Sequence, residues 1–363
     1  MKTMKTIKTI KTIKTMKTMK TKHYLLISLM IILSACSKDN PNPIITGNYE
    51  NGYFITNEGN FLSANGSISY VDEYGLVEND VFLSNNSFPL GDVVQSMNII
   101  NDNAYIVVNN SGNIKVASAD DMQYISTIDA ISPRYIAQVS TDKAYITDWG
   151  INGVHILDLQ TNSISSAISC GFGPEGIAVS NGYAYVCNQG GWGLDNTVSV
   201  INIATDMLET TLSVGDKPGS VVVDVNGAIW VLSGGFTEYG PAPDYAILSQ
   251  TSGSLVKIVD NNIESTFTFE VGNTPSDLVI NDLGTNLYFS NGAVYTMNIS
   301  DNQLPTNPLI DKSFYSLGYN DGYMYGTDAV DYSQRGWSYK YADNGNLIDS
   351  VQVGVIPGGY CFN

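Results

Sequence analysis

The stretch "GFGPEGIAVSNGYAYVCN", Gly171 to Asn188, decides the fold. Its first six residues satisfy G-x-G-x-x-G, the loop that cradles a pyrophosphate in a dinucleotide-binding fold, but such a loop must come after a strand and open a helix. The chain instead continues as two short β-rich runs around Asn181-Gly182, a strong hairpin signal. The glycines therefore belong to a turn, and the pattern they open recurs along the chain.

Working outward, "PRYIAQV" at Pro133, "PEGIAVS" at Pro174, "PGSVVVD" at Pro218, "PSDLVIN" at Pro275 and "PGGYCFN" at Pro357 align, with prolines 41, 44, 57 and 82 residues apart. The last spacing is twice the first, and "FYSLGYN" from Phe314 fills the gap. Upstream, "GDVVQS" (Gly91 to Ser96) matches "GDKPGS" (Gly215 to Ser220), with Val94 in the place of the proline. That makes seven units. After each segment comes a turn and a second strand with an aromatic at one position: Phe54, Tyr105, Tyr145, Tyr185, Trp230, Tyr288 and Tyr325. A third, alternating strand and a more variable fourth complete the unit.

Four antiparallel strands repeated seven times at this spacing describe the blades of a β-propeller. The chain ends on an inner-strand segment and its folded part begins on "NGYFITNE", the turn and second strand of the same pattern. The expected fold is thus all-β, a seven-bladed propeller over residues 48–363, with the C-terminal strand completing the first blade and removing the ring's free edge.

Residues 1–35 combine a lysine-rich run, an apolar stretch from Tyr24 to Leu33 and Leu33-Ser34-Ala35 before Cys36. A basic n-region, an apolar segment too short to span a bilayer and small residues before the cut describe a secretory signal. The cysteine after Leu-Ser-Ala resembles the lipobox of bacterial lipoproteins, which implies acylation of Cys36. Residues 36–47 form a polar, Pro-broken tether. Lys38-Asp39 resembles a surface-export signal, so the expected location is the outer membrane, lipid-anchored and facing outward.

The full chain carries a net charge of −18; eight of its 17 basic residues lie in residues 1–35, leaving nine against 35 acidic ones, a net of −26. So acidic a surface repels phosphate backbones and anionic headgroups, which excludes nucleic acid and leaves the lipid as the membrane contact. His155, the one histidine after residue 35, lies in an alternating run and reads as structural. One histidine cannot build a multi-histidine metal site, and no metalloprotease, C-x-x-C or nucleophile-elbow motif occurs. The expectation is no catalytic residue, no metal and no cofactor. Cys187 and Cys361 fall on strands as buried thiols; a Cys170–Cys187 bridge is the alternative.

The loops after the second strands share one rim with the connections between blades. They place Phe61, Trp149, Trp192, Phe236, Tyr239, Tyr245, Tyr332 and Trp337 there, among Asn57, Glu58, Asp148, Asn188, Gln189, Asp328 and Arg335. Rings with amide and carboxylate neighbours suit a large, partly apolar ligand or a protein partner, and they can equally cap the blade cores.

The run "GYFITNEGNF…NGSISYVD", continued by repeated G-x-x-P-x-x-I/V and A-Y-V strands, resembles the YncE-like seven-bladed propeller lipoproteins over residues 50–363. Within that group it is most similar to the surface lipoproteins that capture cobalamin beside a TonB-dependent transporter. The resemblance implies a corrinoid ligand, passed to an outer-membrane transporter, and no chemistry. Two readings of other classes compete: a protein-binding or adhesive scaffold using the same rim, and a lactonase-like hydrolase, for which Glu58, Glu175 and Asp277 would have to hold a metal in the central channel.

Overall fold

In the computed structural model, which describes residues 47–363, every aligned segment is the innermost strand of an antiparallel sheet. These strands are Val94–Ile100, Pro133–Gln138, Pro174–Ser180, Pro218–Val223, Ser276–Ile280, Ser316–Asn320 and Pro357–Phe362. Each neighbours the next, and the last meets the first, so the seven sheets close into a ring. Six are four-stranded. In the sixth the outer edge is reduced to a bridge between Ile310 and Val294, because the segment after its third strand runs irregularly. Blades are numbered 1 to 7 from Gly52. The signal, the tether and Cys36 fall on or before residue 47 and, Gly47 apart, lie outside the described residues.

A strand shows alternate residues to opposite faces, so each blade buries one set of side chains against the blade before it and one against the blade after. Seven buried apolar clusters result, one per seam. The recurring aromatic of the second strand points into the seam after its own blade, and none of the seven is more than 4% exposed. Burying each such ring contributes about 2–3 kcal/mol.

Their polar tips obey one rule. Tyr105 of blade 2 donates to Asn162 Oδ1 at 2.7 Å, Tyr145 of blade 3 to Asp206, Tyr185 of blade 4 to Asn261 and Tyr288 of blade 6 to Asp343. Each acceptor sits in the turn between the third and fourth strands of the next blade. Asn162, Asp206 and Asn261 adopt positive φ there, a conformation that Asn and Asp tolerate best after glycine. One residue therefore takes the turn's left-handed position and receives the neighbour's hydroxyl. Blade 1 has Phe54, with nothing to donate, and in blade 5 Trp230 Nε1 bonds Asp224 of its own blade at 3.0 Å.

Ring closure agrees with the expectation. Tyr53, Phe54 and Ile55 pair with Phe362, Cys361 and Tyr360, and Asn363 reaches the carbonyl of Tyr49 through its amide at 2.8 Å. Tyr360 and Phe362 stack at 5.7 Å. Gly318 lies against them, since a Cβ there would stand 2.7 Å from the Tyr360 ring. Cys170, Cys187 and Cys361 are free thiols, so the bridge alternative does not hold. Burial pushes Cys170 up to about 11 and Cys361 up to about 12.

Deleting Pro357–Asn363 removes the innermost strand of blade 1 and opens two edges. Calorimetry is expected to show the single cooperative unfolding transition lost or moved strongly downward; a truncated protein that melts like the full chain would contradict closure by this strand.

Candidate ligand-binding face

The connections between blades and the loops after the second strands emerge on the same face. At the quoted stretch they interlock: Gln189 N–H donates to Gly173 O at 2.9 Å, and Gly190 N–H donates to Phe172 O at 2.8 Å. Gly173 (φ +57°) lies so close to the neighbouring loop that a Cβ would stand 2.0 Å from Gly191 N. The glycine spacing that mimics a phosphate loop thus permits backbone-to-backbone packing.

That contact floors a cleft of about 560 Å³ between blades 3 and 4, walled by Trp149, Phe172, Trp192 and Leu194. Trp192 is 97% exposed and Phe172 63%; the two indoles meet edge to face at 6.1 Å. Trp149 is fixed from below. Its Nε1 donates to Glu175 Oε2 at 2.9 Å, and the Arg134 guanidinium lies 4.3 Å from its ring centroid. Arg134 in turn forms a two-pronged pair with Glu175, with Nε to Oε2 at 2.9 Å and Nη2 to Oε1 at 2.7 Å. Both side chains are largely buried, where a fork of parallel bonds is strong and directional.

Arg134 and Glu175 reach this position through a repeated irregularity. In six blades the register slips near the start of the inner strand. The extra residue of such a bulge is re-aimed, and here it turns toward the channel mouth: Gln95, Arg134, Glu175, Gly219, Asp277 and Gly358. Glu58 lies over Gly358 and accepts from the Tyr315 hydroxyl at 3.0 Å; burial raises its pKa, and Tyr315 and Arg134 only partly offset this. Asp277, on the channel wall, is pushed up to about 7 by burial despite the Leu317 N–H at 3.1 Å.

The structure divides the expected site residues. Trp149 and Trp192 share the cleft, and Gln189 extends toward Gly219 beside it. Glu58, Tyr332 and Phe61 gather at the far side of the mouth, where Tyr332 meets Tyr315 at 5.8 Å and Phe61 is 65% exposed. Tyr239, Tyr245 and half-buried Phe236 belong to the long loop of blade 5, which carries the hairpin Thr237–Tyr239 with Ile247–Gln250.

Three expectations are corrected by burial. Asn57, Asp148 and Asn188 end their second strands fully buried rather than on the rim. Asn57 donates to Ser69 Oγ at 2.9 Å and accepts from Gly354 N–H at 3.0 Å; Asn188 donates to Thr197 and Ser199. Asp148 accepts from the backbone of Ile131, Ser132 and Gly150 and contacts His155 Nε2 at 3.0 Å. Burial alone would raise its pKa, but these bonds outweigh it and hold it low. Asp328 pairs with Lys312 at 2.9 Å, and Arg335 with Asp80 at 3.3 Å. Trp337 lies in the strand Arg335–Ala342 of blade 7, not in a loop, and across the ring from Trp192. Among the described residues no group of three His, Cys, Asp or Glu side chains could hold a metal.

Sequence reasoning missed Arg134, Phe172 and Tyr315. The signal for Arg134 was its place directly after the aligned proline, which is where the bulge begins in blades 1, 3, 4 and 5.

A ring of blades with its loops gathered into one concave, aromatic face defines the class: a seven-bladed β-propeller with a candidate binding face. Residues 51–330 match the model of a family described as "Domain of unknown function (DUF5074)", and the chain belongs to that family. No curated protein sequence matches. Among solved structures the chain is similar to a quinonprotein alcohol dehydrogenase-like protein from Bacteroides thetaiotaomicron, at 16% identity and a TM-score of 0.65, covering 87% of this chain and 79% of that one. It is also similar to a functionally unknown protein from Desulfotomaculum acetoxidans (15%, 0.61, covering 85% and 98%). A third is a putative 6-phosphogluconolactonase from Bacteroides uniformis (12%, 0.58, covering 86% and 99%). At such identities the likeness is one of fold.

Asp277 generates a test by pH. Its folded pKa of about 7 lies above the ordinary carboxylate value, so the folded state binds the extra proton and stability rises as pH falls through neutrality. Replacing it, Asp277→Asn, is expected to raise the unfolding midpoint at mildly alkaline pH and to flatten the dependence between there and mildly acidic pH. An unchanged slope in thermal melts would show that the carboxylate is not so buried.

Proposed function

We propose that this chain is a surface-exposed, lipid-anchored outer-membrane protein whose propeller captures a large, partly apolar ligand in the cleft between blades 3 and 4. It would pass that ligand to a TonB-dependent transporter without chemistry. The observation that carries the reading is Trp192, a nearly bare indole held edge-on to a second indole whose orientation is fixed by Arg134 and Glu175. Large rings presented on a rigid base are what a binding hot spot requires.

A corrinoid is the ligand class to test first, because its broad macrocycle offers area to the rings and its amide arms offer hydrogen bonds to the loop backbone. The hairpin of blade 5 supports the docking half of the reading: Tyr239, Tyr245, Ile247 and Leu248 are all more than half exposed, and the hairpin forms a two-stranded sheet separate from the blades. Hydrolysis finds less support, since Glu175 is engaged by Arg134 and Trp149, and Glu58 by Tyr315.

Titration with cyanocobalamin by calorimetry, with tryptophan fluorescence in parallel, is expected to give saturable binding at micromolar concentration. Trp192→Ala should weaken it by at least about tenfold, as loss of a central aromatic does, whereas Trp337→Ala should leave it intact. No heat at more than one temperature with folded protein removes the corrinoid and favours a protein partner for the same face.

The anchor has its own test. Cys36→Ala is expected to move the protein from the membrane to the soluble fraction, because one acylated cysteine is the proposed attachment. Retention of the variant in the membrane would instead indicate a protein complex.

A further inference from the structure

The seam between blades 7 and 1, where the ring closes, differs from the others on the face opposite the binding cleft. By the rule of the other tyrosines, Tyr325 of blade 7 would donate to the turn between the third and fourth strands of blade 1. Among the described residues its hydroxyl has no such acceptor; its ring packs instead on Tyr53 at 5.0 Å and Phe362 at 5.2 Å. This seam also holds the smallest buried cluster, built on Ile55, Val71 and Val353. The two blades part here around a cleft of about 560 Å³.

We propose that this cleft is a binding site for a saccharide, held between the turn of blade 1 and the third and fourth strands of blade 7. Its lining offers both hydrogen-bonding senses at once. Asp72, Glu73 and Asp349 supply carboxylate acceptors, while Lys340 and the Tyr325 hydroxyl supply donors. A ligand hydroxyl both gives and takes a hydrogen bond, so one polyhydroxylated molecule satisfies the mixed set, where a plain cation or anion would meet its own charge.

Lys340 is the telling residue. Asp349 is its cross-strand partner, yet among the described residues no carboxylate lies within ion-pair distance of its ammonium. The ammonium sits 3.9 Å from the centroid of the Tyr323 ring instead. In so acidic a protein an unpaired cation shelved on a ring is a donor kept available. Tyr74, 80% exposed on the facing turn, adds a flat surface for the C–H face of a sugar ring.

The site is separate from the proposed corrinoid cleft, and the experiment distinguishes the two. Saturation-transfer NMR is run with cellobiose, maltose and N,N′-diacetylchitobiose on the wild type and on Tyr323→Ala, Lys340→Met and Trp192→Ala. At least one sugar should receive transfer from the wild type and from Trp192→Ala, and bind at least about tenfold more weakly to Tyr323→Ala and Lys340→Met. Lys340→Met alters only a strand-surface side chain, so it keeps the test open if the tyrosine variant unfolds. The proposal is overturned by no transfer from any of the three sugars at millimolar concentration, by transfer equal in the wild type and Lys340→Met, or by transfer lost in Trp192→Ala alone.

Discussion

The structure depends on packing between blades. No four-stranded sheet here has a core of its own; each is covered on both faces only because a neighbour stands on either side, and the seven clusters make the ring cooperative. The tyrosine that reaches across four seams adds a hydrogen bond of about 1 kcal/mol to each. Its larger effect is to set the height of one blade against the next, since the ring must slide in until the hydroxyl meets the Asn or Asp of the adjoining turn. At the closing seam the tyrosine is present but lacks that bond, Tyr325 packing on Tyr53 and Phe362 instead, and space remains between the two blades.

Rigidity of the ring passes to the face above it. Because the inner strands are pinned by their neighbours, the bulge near the start of six of them delivers a side chain to the channel mouth at a fixed height. Three blades use that position for charge, at Arg134, Glu175 and Asp277; two leave it as glycine, at Gly219 and Gly358, where Gln189 and Glu58 from adjoining loops lie over the gap. The Arg134–Glu175 pair then orients Trp149, and Trp149 supports Trp192, a chain of contacts running from strand register to an exposed indole.

The rim residues inferred from sequence divide for a related reason. A polar residue at the end of a second strand has two destinations, outward to solvent or inward to the backbone and hydroxyl groups of the neighbouring strands and connection. Asn57, Asp148 and Asn188 take the second, because the N–H groups and hydroxyls there would otherwise be buried without partners. Residues two or more positions further into the loops, such as Phe61 and Trp192, have left the reach of those groups and stand exposed.

Strand number, blade count and closure were legible in the chain because they arise from local, repeated chemistry: a proline entry, an Asn-Gly turn, an aromatic at one strand position, and a last segment that lacks its partner unless it joins the first. These features act over a few residues and recur in the same order in unit after unit, so each copy confirms the others. The site was legible only as a set of loops. Which side chains meet depends on the order of blades around the ring and on a one-residue bulge, neither of which leaves a periodic trace. Trp192 and Trp337 look equivalent in sequence and lie across the ring from each other, whereas Arg134 and Glu175, 41 residues apart, bond directly. That pairing exists only because neighbouring blades bring equivalent positions together, and it was the tertiary structure that decided it.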